Sequence, residues 1–287
     1  MTHRPPLGQH FLRDPNVIKT ILAAAELTPN TTALEIGPGK GILTEALVPR
    51  VGTLVVVELD KTLARDLQHR FQDNVHVTII PGDFLRVDLS SLFPRDDARQ
   101  PMKILGNLPY SITSPIFEKI LTWPAWDTGV FLIQREVADR MRSGPGSRSF
   151  GILSLAVQLF AKVELILNVK PGAFRPPPKV QSAVIRLRRK VRPDVPPETI
   201  PSFFDLAHGA FAHRRKTLGN SLSYHSGLAK KAVENWLKQQ SVDPGKRAET
   251  LELEDYVRLS EKWAIFRREN GFDIAPDNVY NTERFSD

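Results

Sequence analysis

Short apolar runs alternate with helical patterns along the first half of the chain, and this alternation restricts the fold more than any other feature. The runs are Thr32–Ile36, Thr53–Glu58, Val75–Ile80, Met102–Leu105 and Val130–Ile133. Between several of them, Gly41–Leu47, Lys61–Phe71 and Ser114–Leu121 read as helices. A helix Pro15–Leu27 precedes the first run, with Asp14 as N-cap, Pro15 at the first helical position and Val17, Ile18, Ile21 and Leu22 as its apolar stripe. Such alternation argues a parallel sheet with helices on both faces. Two further runs, Val163–Val169 and Val180–Leu187, are joined by a Pro/Gly-rich connection too short for a crossover helix, so they are expected to form an antiparallel hairpin at the sheet edge. The expectation is an α/β domain over residues 1–195 with a mostly parallel seven-stranded sheet. Pro193, Pro196, Pro197 and Pro201 mark a linker. Residues 196–287 then form a small helical domain, with Phe203, Ala207, Ala210, Phe211 and Leu218 at helical spacing, Gly219-Asn220 as a stop signal, and helices over 229–240 and 254–268.

Composition removes several function classes. The chain has no cysteine, which excludes disulfides, thiolate nucleophiles and Cys-ligated zinc. None of the seven histidines makes an H-E-x-x-H pair, so no metal is expected. No stretch approaches the roughly 20 apolar residues that span a bilayer. Met1–Pro6 has no apolar segment of a secretory signal. A cytoplasmic, metal-independent protein with no membrane contact is expected, and nothing signals an oligomer, so a monomer is the expectation. The net charge of +7 is unevenly placed. Residues 1–134 hold 13 Lys/Arg against 14 Asp/Glu, and residues 248–287 hold 5 against 10. Residues 135–200 hold 13 against 5 and residues 201–247 hold 8 against 3, so the stretch 135–247 carries an excess of 13. A block of this kind suits a polyanion partner or, equally, a solvated basic face.

Three glycines follow the first run, in Glu35-Ile36-Gly37-Pro38-Gly39-Lys40-Gly41. The spacing is G-x-G-x-G, and Ile42 stands where a dinucleotide site needs its last glycine, which argues against NAD. Glu58 ends the second run, 21 residues after Gly37, where a carboxylate can accept both hydrogens of a ribose diol. Asp83, after the third run, can accept from an adenine amino group or cap the next turn. Glycine loop and two acids in this order fit an adenosyl cofactor at the carboxyl ends of the strands.

After the fourth run comes Asn107-Leu108-Pro109-Tyr110. The exocyclic amine of adenine is a poor nucleophile because its lone pair is delocalised into the ring. Two acceptors that hold both N–H groups draw the nitrogen toward tetrahedral geometry, and the Asn107 side-chain oxygen and the Leu108 carbonyl suit that task. Pro109 stiffens the turn, and Tyr110 offers a face to stack the base. An Asx/proline turn is the plainer alternative.

With these motifs, and with Gly8-Gln9-His10-Phe11-Leu12, Gly82-Asp83-Phe84-Leu85, Gly172-Ala173-Phe174-Arg175-Pro176-Pro177-Pro178-Lys179-Val180 and Phe211-Ala212-His213-Arg214-Arg215-Lys216-Thr217-Leu218, the chain resembles the ribosomal RNA adenine dimethyltransferase family. The resemblance implies a Rossmann-like class I methyltransferase fold and S-adenosylmethionine as cofactor. It implies methylation of two adjacent adenosines near the 3′ end of small-subunit ribosomal RNA in an assembling subunit. It also implies that His10, Leu12, Gly37, Gly39, Glu58, Asp83 and Asn107 border the cofactor, and that Phe174 stacks on the target base opposite Tyr110. Read from the residues alone, Phe174 is as well a core plug in a Pro-rich loop. A large-subunit RNA methyltransferase and a non-catalytic assembly or transcription factor of the same fold are the alternatives.

Several basic residues are candidates for RNA. Arg135, Arg140, Arg142 and Arg148 flank a Gly/Ser/Pro loop over 143–149 that reads as mobile and could order on RNA. Arg186 and Arg188 alternate with Ile185 and Leu187 and share a face. Arg214, Arg215 and Lys216 continue the basic face, or cap the preceding helix, or pair with acids of 248–287. No RNA module with stacked aromatics is visible, which favours recognition through phosphates and shape.

Overall fold

The computed structural model describes residues 10–93, 102–272 and 274. The described residues up to 138, with 162–189, make one compact unit, and 139–161 with the described residues from 190 onward make a second. Met1–Pro6, Gly8 and Gln9 lie outside the described residues.

The first unit begins with β1 (Phe11–Leu12), α1 (Pro15–Ala25), β2 (Thr32–Ile36), α2 (Ile42–Leu47), β3 (Thr53–Glu58), α3 (Lys61–Arg70), β4 (Val77–Pro81) and α4 (Leu89–Leu92). The chain continues through β5 (Met102–Asn107), α5 (Thr113–Thr122), β6 (Trp126–Gln134) and α6 (Arg135–Arg142), whose last residues from 139 on count with the second unit, and returns as β7 (Ala161–Val169), β8 (Phe174–Arg175) and β9 (Ser182–Arg189). Seven strands form one sheet in the order β4-β3-β2-β5-β6-β9-β7. The pairs from β4 to β6 are parallel, and β9 runs antiparallel to β6. The last two runs are neighbours at the edge, as the short connection between them requires. A separate two-stranded sheet pairs β1 with β8, antiparallel, with Leu12 opposite Phe174.

Local chemistry accounts for the elements. The Asp14 carboxylate accepts from the Asn16 N–H at 2.8 Å and starts α1, and Glu26 in the left-handed region ends it. Asp60 starts α3 in the same way through Thr62 and Leu63. Strands β2, β3 and β5 are nearly continuous apolar runs because helices cover both faces of a parallel sheet. β6 starts four residues earlier than its apolar run suggested. Trp126 is buried, with its indole N–H donated to the Ile120 carbonyl at 2.7 Å and the Arg189 guanidinium over its ring, and Lys103 on β5 bonds Asp127 and Thr128. These cross-strand partners carry the strand through residues with no apolar pattern.

The second unit contains α7 (Ile152–Phe160), α8 (Ile200–Phe211), α9 (Leu218–Ser226), α10 (Lys230–Gln239) and α11 (Leu253–Glu269). It takes in residues 139–161, which the sequence pattern assigns to the first domain. The reason is aromatic packing: Phe150 meets Phe211 and Phe160 meets Phe204. Gly219-Asn220 is not a stop, because α9 runs through it. A Cβ on Gly219 would lie 3.1 Å from Glu234 and 3.2 Å from Pro244, so this glycine serves a close approach, and the chain turns earlier, over residues 212–217. Among the described residues no helix is long and apolar enough to cross a membrane.

Candidate active site

One cavity lies at the carboxyl ends of β2, β3 and β5 and gathers residues from every motif of the first 110 positions. Its lining includes His10, Leu12, Gly37, Gly39, Glu58, Asp83, Asn107, Leu108, Pro109 and Tyr110. Glycines 37, 39 and 41 all have positive φ, between 58° and 81°, so the loop after β2 can close tightly. Gly39 has a second constraint, since a Cβ there would lie 3.0 Å from the Phe11 ring. The Lys40 ammonium sits 5.0 Å from the centre of that ring, a contact the sequence did not suggest.

Glu58 is 2% exposed. Its two oxygens accept from the Gly39 N–H at 3.0 Å and the Asp60 N–H at 2.8 Å, and burial raises its carboxyl above the ordinary range against those bonds. Each oxygen keeps a further lone pair for a ligand. Asp83 does what the plainer reading foresaw and still borders the cavity: it caps the turn Phe84–Arg86 by accepting from the Leu85 N–H at 3.0 Å.

Asn107 is oriented by the N-terminal segment. Its amide nitrogen donates to the His10 carbonyl at 3.1 Å. A carbonyl can only accept, so the side-chain oxygen must be the atom directed elsewhere. The His10 ring donates in turn from Nδ1 to the Pro176 carbonyl at 2.9 Å and lies 5.8 Å from the Tyr110 ring. The Leu108 N–H is held by the Leu132 carbonyl at 3.0 Å, which ties the start of the turn to β6. The Tyr110 hydroxyl is 2.8 Å from that of Ser182, and burial raises its ionisation above the ordinary value.

Phe174 requires a correction. It is 5% exposed, packs in the apolar cluster with Leu12, Val17, Ile18 and Ile21, and is absent from the cavity lining. Here it is the core plug, held by the β1–β8 pairing. The loop over 143–149, read as mobile, is also tied down: the Gly146 N–H meets the Glu249 carbonyl and the Gln158 amide meets the Ser143 carbonyl. Arg135 bonds the Asn168 side chain. Arg186 and Arg188 do share a face, but both pair with Glu26 and Glu164, so this quartet of charges is balanced. Arg214 stacks over Phe211 and donates to the Arg148 and Phe150 carbonyls, a structural clasp on that loop. Arg142, Arg148, Arg215 and Lys216 are exposed.

Three contributors escaped the sequence. Glu35, at the end of β2, is 1% exposed, receives the Thr44 hydroxyl at 2.7 Å and is pushed up to about 8, chiefly by burial. Lys119 on α5 donates to the Phe84, Leu85 and Val87 carbonyls and so fixes the turn that Asp83 begins. Ser182 holds Tyr110. Only Glu35 carried a local signal, as the acid just ahead of the glycine loop. Among the described residues no group of three or more His, Asp or Glu is placed to hold a metal ion.

A family described as ribosomal RNA adenine dimethylase matches residues 1–264. The chain belongs to this family. A member from Syntrophotalea carbinolica, named ribosomal RNA small subunit methyltransferase A, is 42% identical over 264 residues, covering 91% of this chain and 97% of that one. The structure of a dimethyladenosine transferase from Plasmodium falciparum superposes with a TM-score of 0.70 at 24% identity over 93% of this chain and all of that one. That of the 23S rRNA methyltransferase ErmE superposes with a TM-score of 0.64 at 29% identity over 88% and 99%. The α/β unit with its antiparallel β9 is thus a class I methyltransferase fold, and Asn107-Leu108-Pro109-Tyr110 lines its cavity.

Proposed function

We propose that this chain transfers methyl groups from S-adenosylmethionine to the N6 amines of two adjacent adenosines near the 3′ end of small-subunit ribosomal RNA, in the cytoplasm and as a monomer. The observation that carries the reading is the fixed amide of Asn107. With its nitrogen committed to His10, its oxygen is the acceptor left for an incoming amine.

The residues present fit the cofactor. The glycine loop leaves room for a ligand against backbone, Glu58 offers carboxylate lone pairs to a ribose diol, and Asp83 keeps acceptor capacity for an adenine amino group. His10 and Leu12 close the cavity on the side of β1. S-adenosylmethionine, when bound, supplies a methyl group on a positively charged sulfur. Asn107 Oδ1 and the Leu108 carbonyl accept the two N–H groups of the adenine amine and localise its lone pair. The amine these acceptors align would receive that methyl group and would give up one proton, the sulfonium losing its charge as the methyl departs. Positive charge is dispersed in that step, so alignment and exclusion of water count for more than a strong base. Tyr110, held by Ser182, stacks the base.

For the RNA we retain Arg142, Arg148, Arg215 and Lys216, with Arg135 at the edge of the α/β unit. Arg186 and Arg188 are left out because Glu26 and Glu164 neutralise them. The test is to incubate the purified chain and S-adenosylmethionine with small ribosomal subunits from a strain lacking the modification, then map the methylated bases by mass spectrometry. Two neighbouring N6,N6-dimethyladenosines are expected. Methyl groups found only on large-subunit RNA, or none, overturn the reading.

A further inference from the structure

Tyr224, on α9, is the most exposed aromatic side chain described, at 68%. It falls outside the buried set of its helix, which is Leu218, Gly219, Ser221, Leu222 and Ser226. Folding does not need it, since its removal uncovers no core. Yet its ring is held. The His213 ring meets it at 5.3 Å and 73°, an edge-to-face contact that leaves at least one tyrosine face open to water. His213 begins the turn that carries Arg215 and Lys216, and the Arg214 clasp anchors that turn. That stretch, residues 212–217, holds three Lys/Arg and no carboxylate, while of the acids against α9, Asp205 bonds His225 and Glu234 pairs with Lys230.

An open aromatic face beside exposed cations, with no acid in the turn, is complementary to a stacked base whose phosphates lie alongside. Tyrosine is common at protein interfaces too, so contact with a ribosomal protein is an outcome the test must separate; the cationic turn without a carboxylate favours the polyanion. We propose that Tyr224 stacks an unpaired nucleotide of the RNA, one other than the adenosine that reacts, while Arg215 and Lys216 hold the flanking phosphates. This rests on the RNA-methylating reading above. It also amends the expectation that RNA is met through phosphates and shape alone.

The test uses the full chain as Y224A, Y224F and Y224L, with protein-free small-subunit RNA and the assembled small subunit as probes. Unchanged melting and unchanged S-adenosylmethionine affinity establish that each variant is intact. Base stacking predicts that Y224A binds both probes roughly 5- to 150-fold more weakly, that Y224F binds as the parent does, and that Y224L behaves like Y224A. Stacking is not ionic, so the salt slope of the remaining affinity stays at the parent value. Three results overturn the proposal: unchanged RNA affinity of Y224A, a Y224L variant as good as Y224F, or a loss confined to the assembled subunit, which would mean contact with a ribosomal protein. If the parent chain methylates no small-subunit RNA, the functional reading fails whatever Tyr224 does. If it does methylate and Y224A binds normally, only the stacking role of Tyr224 fails.

Discussion

Glu58, at the end of β3, is almost completely buried and has each oxygen on a backbone N–H, whereas Arg215 and Lys216, in the turn before α9, lie open to solvent. Both places bear charge for a ligand, but they hold it differently. In the cavity the protein has already displaced water and supplied partners, so an interaction made there is strong and hardly screened by salt. On the basic turn the charges remain hydrated. Their contribution comes from release of the counterions that RNA phosphates carry, and it fades as salt rises. The comparison teaches that cofactor binding and RNA binding should respond to different variables in one chain: preorganised geometry and proton occupancy for the first, ionic strength for the second.

The largest effect expected falls on Asn107. Asn107→Ala should slow single-turnover methylation by roughly 10²–10³-fold at saturating cofactor, by analogy with removal of one preorganised polar partner of a transition state. RNA affinity and its salt slope should be unchanged. A near-normal rate removes the oriented amide from the mechanism.

Next is the proton on Glu35. The folded carboxyl titrates at about 8, against an ordinary value of 4.5. The fold therefore favours the protonated form, its contribution is complete below about pH 4.5, and it is lost as pH rises through 8. The loss between pH 5 and 8 is on the order of 3 kcal/mol. Glu118, raised to about 7 by burial, adds to the same trend and is present in both proteins compared. Melting temperatures of the parent and E35Q should diverge steadily from pH 5 to 8, in favour of E35Q; parallel curves would refute the buried-proton view of the cavity floor.

Glu58→Ala should weaken S-adenosylmethionine by about 1.5–3 kcal/mol, the range for a hydrogen bond to a charged group. Calorimetry at low and high salt should return the same deficit, and a deficit that shrinks with salt would erase the contrast between cavity and basic turn. The double variant R215A/K216A should do the opposite. Its cofactor affinity stays normal, while the slope of log affinity for RNA against log salt becomes shallower by about 0.7–0.9 for each phosphate that is no longer neutralised. The smallest effect belongs to Tyr110→Phe, which keeps the ring and removes the hydroxyl bond to Ser182, a net change of about 0.5–1.5 kcal/mol. A deficit as large as that of Tyr110→Ala would mean that the hydroxyl does more than steer the ring.

Much of the site was legible because its parts are local. The glycine loop, Glu58 and Asn107-Leu108-Pro109-Tyr110 each follow an apolar run directly, and a parallel sheet brings the ends of such runs together whatever the helices between them contain. The partners that aim these groups were not legible. Ser182 lies 72 residues from Tyr110, His10 lies 97 from Asn107, and Lys119 reaches a turn more than 30 residues earlier. Nothing in the period or composition of a segment records a hydrogen bond over such distances. Phe174 is the converse case: its residues read as a core plug, the resemblance implied stacking on the base, and its place opposite Leu12 sets it in the core. In the helical unit, Gly219 read as a stop because glycine marks both helix ends and close approaches, and only the neighbouring Glu234 and Pro244 tell the two apart.

The small sheet formed by β1 and β8 also bears on how the chain acquires its activity. It joins residue 11 to residue 175, and through the His10 carbonyl it decides where the Asn107 oxygen points. Pairings so far apart in sequence carry the cost of closing a long loop, and this one needs residues that are made long after β1. A chain emerging during synthesis can complete β2 to β5 and the glycine loop well before residues 174–175 exist. Its cofactor cleft would take shape first and its methyl-accepting geometry last, so a partly made molecule holds the parts of a methyltransferase without the alignment of one.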